Sequence, residues 1–312
     1  MKTFAFVFPG QGSQAVGMLD AWGDAPAVRR TLEEASEALG DDLGRLIHEG
    51  PKEQLDLTTN TQPVMLAAGV ACYRAWLDDT GLVPDVVAGH SLGEYSALVA
   101  AGALSLADAL PLVRFRAQAM QEAVPVGIGA MAAILGLEAN AVRAACTELA
   151  EATGETVEAV NYNDPRQTVI AGTKAGVEKA CETLKARGAK RALALPVSAP
   201  FHSSLMRPAA ERLKERLAAT RVVTPPIAVV NNVDVAVQTD PVAIRDALYR
   251  QAFGPVRWVE VVQAIRGRGV SRIFECGPGK VLAGMVKRIE PDAVSAAVFD
   301  PASLAAAKAL LA

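Results

Sequence analysis

The chain has 312 residues, of which 51% are hydrophobic, and its formal net charge is −3. This length and composition allow a large buried core and about two domains, and the near-neutral charge argues against a broad basic surface for nucleic acid. No apolar stretch reaches about 18 residues, and the four widely spaced cysteines show neither metal-ligand nor disulfide spacing, so we expect no membrane span, no metal and a reducing, cytoplasmic location.

Short apolar strands alternate with longer helical stretches along most of the chain, a pattern typical of a parallel sheet with helices on both faces. The predicted strands of this sheet are residues 4–8, 86–88, 227–231, 272–275 and 296–299. The predicted helices that accompany it are residues 25–39, 64–79, 105–122, 206–220, 241–251, 258–268 and 280–290.

A glycine-rich loop, residues 9–14, follows the first strand directly and reads Pro-Gly-Gln-Gly-Ser-Gln. Its glycine spacing formally matches a dinucleotide-binding fingerprint. The acidic residues that should end the next strand, Glu33 and Glu34, fall instead in a predicted helix. We therefore interpret the loop as a source of backbone N–H groups for an oxyanion hole, and we expect no cofactor.

Residues 89–93 read Gly-His-Ser-Leu-Gly and lie between the predicted strand 86–88 and a helical stretch, 94–101. A strand, a sharp turn and a helix around G-x-S-x-G form the setting of a nucleophile elbow. The glycines permit the tight bend, and the helix N-terminus favours an anion beside the hydroxyl. We predict Ser91 as the nucleophile and the N–H of Leu92 as an oxyanion donor. The alternative is an ordinary strand-to-helix turn.

Two arginines, Arg114 and Arg116, stand in the predicted helix 105–122, which is otherwise apolar or neutral from residue 110 to residue 121. A guanidinium inside a cleft suits a carboxylate, because it is always charged and can bind both oxygens. Taken without further context, the sequence favours the alternative that both arginines lie on the surface.

Residues 126–196 have a different order of elements, β-α-β-β-α-β, which is that of a ferredoxin-like unit. The predicted strands are 130–135, 157–161, 168–171 and 189–195, and the predicted helices are 138–152 and 174–187. We therefore predict a small domain, 126–196, inserted into a larger parallel-sheet α/β domain formed by 1–125 and 197–312. A cleft between two domains is the usual place for a substrate.

A nucleophilic serine needs a base, and the chain has three histidines. His48 lies in a helical stretch distant from the other motifs, and His90 precedes the serine on a tight turn where neighbouring side chains point apart. His202 remains, in a segment that leads out of the small domain at the expected cleft. We predict that His202 is the base and that a backbone carbonyl orients it, since no Asp or Glu stands out. The alternative is a capping or packing histidine.

Six motifs together resemble those of malonyl-CoA:acyl-carrier-protein transacylases, and they run in order over essentially the whole chain. They are Phe-Pro-Gly-Gln-Gly-Ser-Gln at 8–14, Gly-His-Ser-Leu-Gly-Glu-Tyr at 89–95, Met-Gln-Glu-Ala-Val-Pro at 120–125, Phe-His-Ser at 201–203, Gln at 251 with Pro-Val-Arg-Trp at 255–258, and Glu-Cys-Gly-Pro-Gly at 275–279. The resemblance implies a hydrolase-like α/β domain with a ferredoxin-like insert. It also implies transfer of malonyl from malonyl-CoA to the phosphopantetheine thiol of acyl carrier protein, through a malonyl-serine, for fatty-acid chain elongation.

Carried over by position, the resemblance makes Ser91 the nucleophile and His202 its base, and it pairs Arg116 with the malonyl carboxylate. Arg114 has no such role and is expected to be structural. The other implied positions are the oxyanion N–H groups of Gln11 and Leu92, the backbone of Gln251 that orients the base, the cofactor-arm contacts of Asn161 and Asn163, and the bulky Phe201 that disfavours methylmalonyl-CoA.

The partners implied are malonyl-CoA and acyl carrier protein, and we expect a monomer. Carrier proteins are acidic and this chain is slightly acidic, so attraction must come from local basic patches. We predict that Lys190 with Arg191, and Lys287 with Arg288, lie on the two sides of the cleft and dock the carrier. The alternative is two ordinary solvated charge pairs.

Two functions of other classes stay open at this stage. A serine hydrolase or thioesterase on a related fold would need an acidic triad member and no cationic acyl pocket. A non-catalytic binding module would not need Ser91, His202 and Arg116 together.

Overall fold

A five-stranded parallel sheet forms the main layer of the computed structural model, which describes residues 3–197 and 199–312. Numbered in chain order, its strands are β1 (Phe4–Phe8), β2 (Val86–Gly89), β7 (Ala228–Val230), β8 (Arg272–Cys276) and β9 (Val294–Val298). They are arranged β7-β2-β1-β8-β9. The central strand β1 is a continuous apolar run with all five residues buried, as expected for a strand covered on both faces.

A second, antiparallel sheet is built entirely from the middle of the chain. Its strands are β3 (Gly129–Leu135), β4 (Val157–Asp164), β5 (Gln167–Thr173) and β6 (Arg191–Ala194). Their order is β4-β5-β3-β6, and helices α7 (Ala139–Thr153) and α8 (Lys174–Ala186) pack on one face. This is the ferredoxin-like arrangement, so the predicted architecture of a parallel sheet with a separate β-α-β-β-α-β sheet is confirmed.

The other helices cover the parallel sheet. They are α1 (Pro26–Leu39), α2 (Leu43–Glu49), α3 (Lys52–Leu55), α4 (Thr58–Thr80), α5 (Gly93–Ala100), α6 (Leu106–Glu122), α9 (Arg207–Ala219), α10 (Pro241–Gln251), α11 (Trp258–Gly267), α12 (Val281–Ile289) and α13 (Pro301–Ala309). Helix α4 begins at Thr58 and includes Pro63, whereas the predicted helix begins at residue 64, after this proline. Helix α13 was not predicted, although Asp300 and Ser303 form a capping box at its start.

The parallel sheet brings distant loops to one edge. Phe8 at the end of β1 is level with Gly89 at the end of β2, and β7 and β8 end on the same side. The glycine-rich loop, the G-x-S-x-G turn, the residues after β7 and those after β8 therefore meet at the carboxyl edge, where ligands of open α/β sheets bind.

Strand β4 joins the antiparallel sheet to this edge. The Tyr162 N–H donates to the carbonyl of Val256 at 2.9 Å, and the Val256 N–H donates to the carbonyl of Val160 at 2.8 Å. Nearby, Nε of Arg288 on α12 donates to Oδ2 of Asp164 at 2.7 Å. These contacts fix β4 in a position where one of its faces lies opposite the turn that carries Ser91.

Candidate active site

The turn after β2 holds Ser91 in a strained backbone conformation, with φ of 53°. Glycine is required on both sides of it. A Cβ on Gly89 would lie 1.9 Å from the carbonyl carbon of Gly93, and a Cβ on Gly93 would lie 2.1 Å from the carbonyl oxygen of Phe8. The local sequence therefore folds as an elbow that presents the serine hydroxyl at the edge of the sheet.

His202 contacts the serine directly. Its Nε2 lies 2.7 Å from Oγ of Ser91, and its Nδ1 lies 2.9 Å from the carbonyl oxygen of Gln251 and 3.2 Å from that of Gly254. Carbonyl oxygens only accept, so Nδ1 carries the proton and the lone pair of Nε2 faces the hydroxyl. The imidazole is thus oriented as a base by two backbone carbonyls, in the place that a carboxylate takes in other triads.

The environment keeps His202 neutral. The residue is 4% exposed, and burial together with the nearby Arg116 guanidinium lowers the pKa of His202 to about 3. A neutral imidazole is the form that accepts a proton, so the base is ready at every pH near neutrality.

Arg116 places a cation beside the nucleophile. It is 2% exposed, and its guanidinium donates to Oε1 of Gln62 at 2.7 Å, to Oε1 of Gln251 at 3.1 Å and to Oγ of Ser91 at 3.2 Å. Burial lowers the pKa of Arg116, but a guanidinium keeps its charge in proteins. Because these three partners are uncharged, the guanidinium is suited to receive a carboxylate.

A buried polar layer supports the elbow from below, and two of its members, Glu94 and Asn232, were not predicted from the sequence. Oδ1 of Asn232 accepts from the Ser91 N–H at 2.7 Å, and its Nδ2 donates to the carbonyl of Gly89 at 2.7 Å. Oε2 of Glu94 accepts from the Asn232 N–H at 2.9 Å and from Nε2 of Gln251 at 3.0 Å. Burial raises the pKa of Glu94 to about 7.

The Gln251 side chain was also missed, because only its backbone had been assigned a role. Its Nε2 donates to the Ser91 carbonyl at 2.9 Å, while its Oε1 accepts from Arg116. One residue therefore contacts the nucleophile, the base and the cation. A glutamine at the end of a helix carries no such signal by itself, whereas an acid in the first turn of the apolar helix α5 was a usable sign for Glu94.

A cavity of about 200 Å³ opens in front of the serine, between the two sheets. From the parallel-sheet side, Gln11 and Leu92 line it, and among residues 3–197 and 199–312 neither backbone N–H has a hydrogen-bond partner. Other predicted site residues that line the cavity are Asn161, Asn163 and Phe201, and it is also lined by His90, Met131 and Met285. These residues lie where the sequence analysis expected a cleft.

Two residues considered in the sequence lie outside the cavity. His48 is exposed and contacts Oδ1 of Asp20 at 2.7 Å, and Arg114 donates to Oδ2 of Asp41 at 2.8 Å. Both have local surface partners and no contact with the serine.

The predicted docking residues are all exposed. Lys190 and Arg191 lie at the start of the edge strand β6, and Lys287 and Arg288 lie in the last turn of α12. Arg288 is not an ordinary solvated cation, because its Nε is engaged by the buried carboxylate of Asp164.

Residues 5–295 match the family model described as an acyl transferase domain. The chain belongs to the acyl transferase family. It is 53% identical to the malonyl CoA-acyl carrier protein transacylase of Escherichia coli strain K12 over 98% of this chain and 99% of the relative. The resemblance that the motifs indicated is therefore confirmed.

Solved structures agree with the fold. The acyl-carrier-protein S-malonyltransferase of Burkholderia pseudomallei 1710b matches with a TM-score of 0.96 and 66% identity, over 99% of this chain and 100% of that one. A malonyl-transacylase in complex with a holo type II PKS acyl-carrier protein matches with a TM-score of 0.96 and 50% identity, over 98% and 99%. In the part of the chain that the structure describes, no helix is long and apolar enough to cross a membrane.

Proposed function

We propose that this protein transfers the malonyl group from malonyl-CoA to the phosphopantetheine thiol of acyl carrier protein, supplying fatty-acid chain elongation. The observation that carries the proposal is the position of Arg116, whose guanidinium lies 3.2 Å from the nucleophile oxygen that already contacts His202. A fixed cation beside a serine–histidine pair suits an acyl group that ends in a carboxylate. A general serine hydrolase does not require a buried cation beside its serine.

In the first half-reaction, Ser91 Oγ attacks the thioester carbonyl of malonyl-CoA while Nε2 of His202 takes the hydroxyl proton. The negative charge that develops on the carbonyl oxygen is stabilised by the N–H groups of Gln11 and Leu92, and one such donor contributes about 10²–10³ in rate. The C–S bond then breaks, the proton on His202 passes to the CoA sulfur, and malonyl-Ser91 remains.

In the second half-reaction, the carrier's phosphopantetheine thiol gives its proton to His202 and its sulfur attacks the malonyl ester. The bond to Ser91 Oγ breaks, and the proton returns to this oxygen from His202. Serine is regenerated and the malonyl thioester leaves on the carrier, so the net reaction needs no metal or cofactor.

The cavity walls fit the rest of the substrate. Asn161 and Asn163 offer amide groups to the pantetheine arm that CoA and the carrier share. Phe201 narrows the space beside the base, which disfavours a methyl branch on the malonyl group. Since every group in this mechanism comes from one chain, we propose that the protein acts as a monomer. Its free cysteines, Cys72, Cys146, Cys181 and Cys276, fit a reducing compartment, so we propose that it acts in the cytoplasm.

The intermediate is tested by the intact mass of the protein after mixing with malonyl-CoA in the absence of carrier. We expect one malonyl group on the wild type and none on Ser91→Ala. Adding holo carrier should remove the group within the turnover time, whereas water alone removes it slowly. An adduct on Ser91→Ala would contradict the nucleophile assignment, and rapid loss in water alone would favour a thioesterase.

Carrier docking is tested by charge reversal of Lys190, Arg191 and Lys287 to Glu. Because an acidic partner is steered by local positive charge, the KM for the carrier should rise and its salt dependence should flatten. Acylation of Ser91 by malonyl-CoA should suffer less. The matched control reverses Lys179 and Lys185 on α8, which covers the sheet face away from the cavity. An unchanged carrier KM and salt response would place docking elsewhere.

A further inference from the structure

The imidazole of His90 is buried beside the nucleophile and takes no part in the proton transfers above. Its Nε2 lies 2.8 Å from Oδ1 of Asn163, and its ring packs against Trp258 with the centroids 5.4 Å apart. Because a carbonyl oxygen only accepts, Nε2 carries the proton. Burial lowers the pKa of His90, so the ring is neutral. The contact thus fixes both the tautomer of His90 and the orientation of the Asn163 amide.

With its oxygen bound by His90, the Asn163 amide presents Nδ2 to the cavity. In residues 3–197 and 199–312, this nitrogen donates no hydrogen bond. Asn161 lies two positions earlier on β4 and also lines the cavity. Its Oδ1 is buried and has no hydrogen-bond partner in the same described residues. The Asn163 amide therefore offers the cavity an unused donor, which complements a C=O of a secondary amide, whereas the buried Oδ1 of Asn161 is not exposed to the cavity.

We propose that His90 is a positioning residue that holds the Asn163 amide in the orientation that binds the amide groups of the pantetheine arm. The inference rests on the proposed function, which makes two pantetheine-bearing molecules the substrates. Because both carry the same arm, one interaction serves both half-reactions. Without the imidazole N–H, the Asn163 amide is free to turn and to present its oxygen, which repels a carbonyl of the arm.

The test compares His90→Phe with His90→Gln in steady-state transfer from malonyl-CoA to holo carrier. Phenylalanine keeps a ring against Trp258 but removes the donor. The KM values for malonyl-CoA and for the carrier should therefore both rise, by similar factors of about two to ten, the range for one lost hydrogen bond. Glutamine has an N–H of similar reach and should restore most of the loss. The ratio of malonyl to acetyl transfer should stay as in the wild type.

A double-mutant cycle separates this role from general damage to the elbow. In an Asn163→Ala background, His90→Phe should add little, because the group that it positions is gone. Acylation by malonyl methyl thioester, which lacks the arm, should fall less in His90→Phe than acylation by malonyl-CoA. Additive effects, a rise in only one of the two KM values, or an equal loss with the methyl thioester would overturn the inference.

The same measurements distinguish this inference from the proposed function. If the wild type forms no malonyl-serine, the proposed function fails. If the wild type is acylated and transfers malonyl, but His90→Phe leaves both KM values unchanged, only the role of His90 fails.

Discussion

Arg116→Ala is expected to lower kcat/KM for malonyl-CoA by about 10²- to 10³-fold, in the range for leaving a buried charge without its partner. The guanidinium is 2% exposed and lies against the nucleophile, so a malonyl carboxylate enters a site from which water is largely excluded. Acetyl-CoA has no carboxylate and should lose far less. The measurement is the ratio of malonyl to acetyl acylation of Ser91, which should fall sharply.

Two variants control for this result. Arg116→Lys keeps the charge but loses the planar fork, so it should restore only part of the malonyl preference. Arg114→Ala removes a second arginine of the same helix. Because Arg114 pairs with Asp41 and not with the site, this change should leave the malonyl preference intact. A malonyl preference that survives in Arg116→Ala would show that another group binds the carboxylate.

His202→Ala is expected to slow acylation of Ser91 by about 10²- to 10⁴-fold, the usual contribution of a general base. The imidazole lies 2.7 Å from Oγ and is held there by the carbonyls of Gln251 and Gly254. Single-turnover acylation by malonyl-CoA measures the loss. His48→Ala is the matched control, because this exposed histidine contacts Asp20 far from the serine and should have no measurable effect. A larger loss in His48→Ala would contradict the assignment.

The pH dependence of acylation follows from the same environment. Burial and Arg116 lower the pKa of His202 to about 3, so the base stays unprotonated when the pH falls from 7 to 5. By contrast, only about one thirtieth of an ordinary histidine, with a pKa of about 6.5, is in the neutral form at pH 5. Glu94, whose pKa burial raises to about 7, titrates in this window, so the profile is also measured in Glu94→Gln. A loss with an apparent pKa near 6.5 in both proteins would contradict the neutral-base model.

The two arginines show where sequence reasoning reached its limit. Residues two positions apart on a helix point about 200° apart, so Arg114 and Arg116 cannot share one environment. The sequence could not decide which faced inward, because the residues around both are apolar or neutral. Packing of α6 against α4 places Arg116 on Gln62 and leaves Arg114 half-buried, where it pairs with Asp41. Only the family resemblance selected Arg116 in advance.

The supporting layer under the serine was hidden for a similar reason. Glu94, Asn232 and the Gln251 side chain act through hydrogen bonds to residues up to 160 positions away. The acid at the start of α5 marks Glu94 as unusual, but no local pattern names the partners, since these pairs depend on how β2, β7, α5 and α10 pack together.

The sequence by itself determined what depends on adjacent residues. The strands of both sheets, the order β-α-β-β-α-β and the elbow around Ser91 follow from local hydrophobicity and from glycines that alone fit the turn. Tertiary structure decided what depends on distant ones. Ser91 and His202 are 111 residues apart. They meet because β2 ends at the carboxyl edge of the parallel sheet, at a junction where the carbonyls of Gln251 and Gly254 hold the imidazole against the serine. Burial in that junction then makes the imidazole a neutral base and leaves the guanidinium ready for a carboxylate.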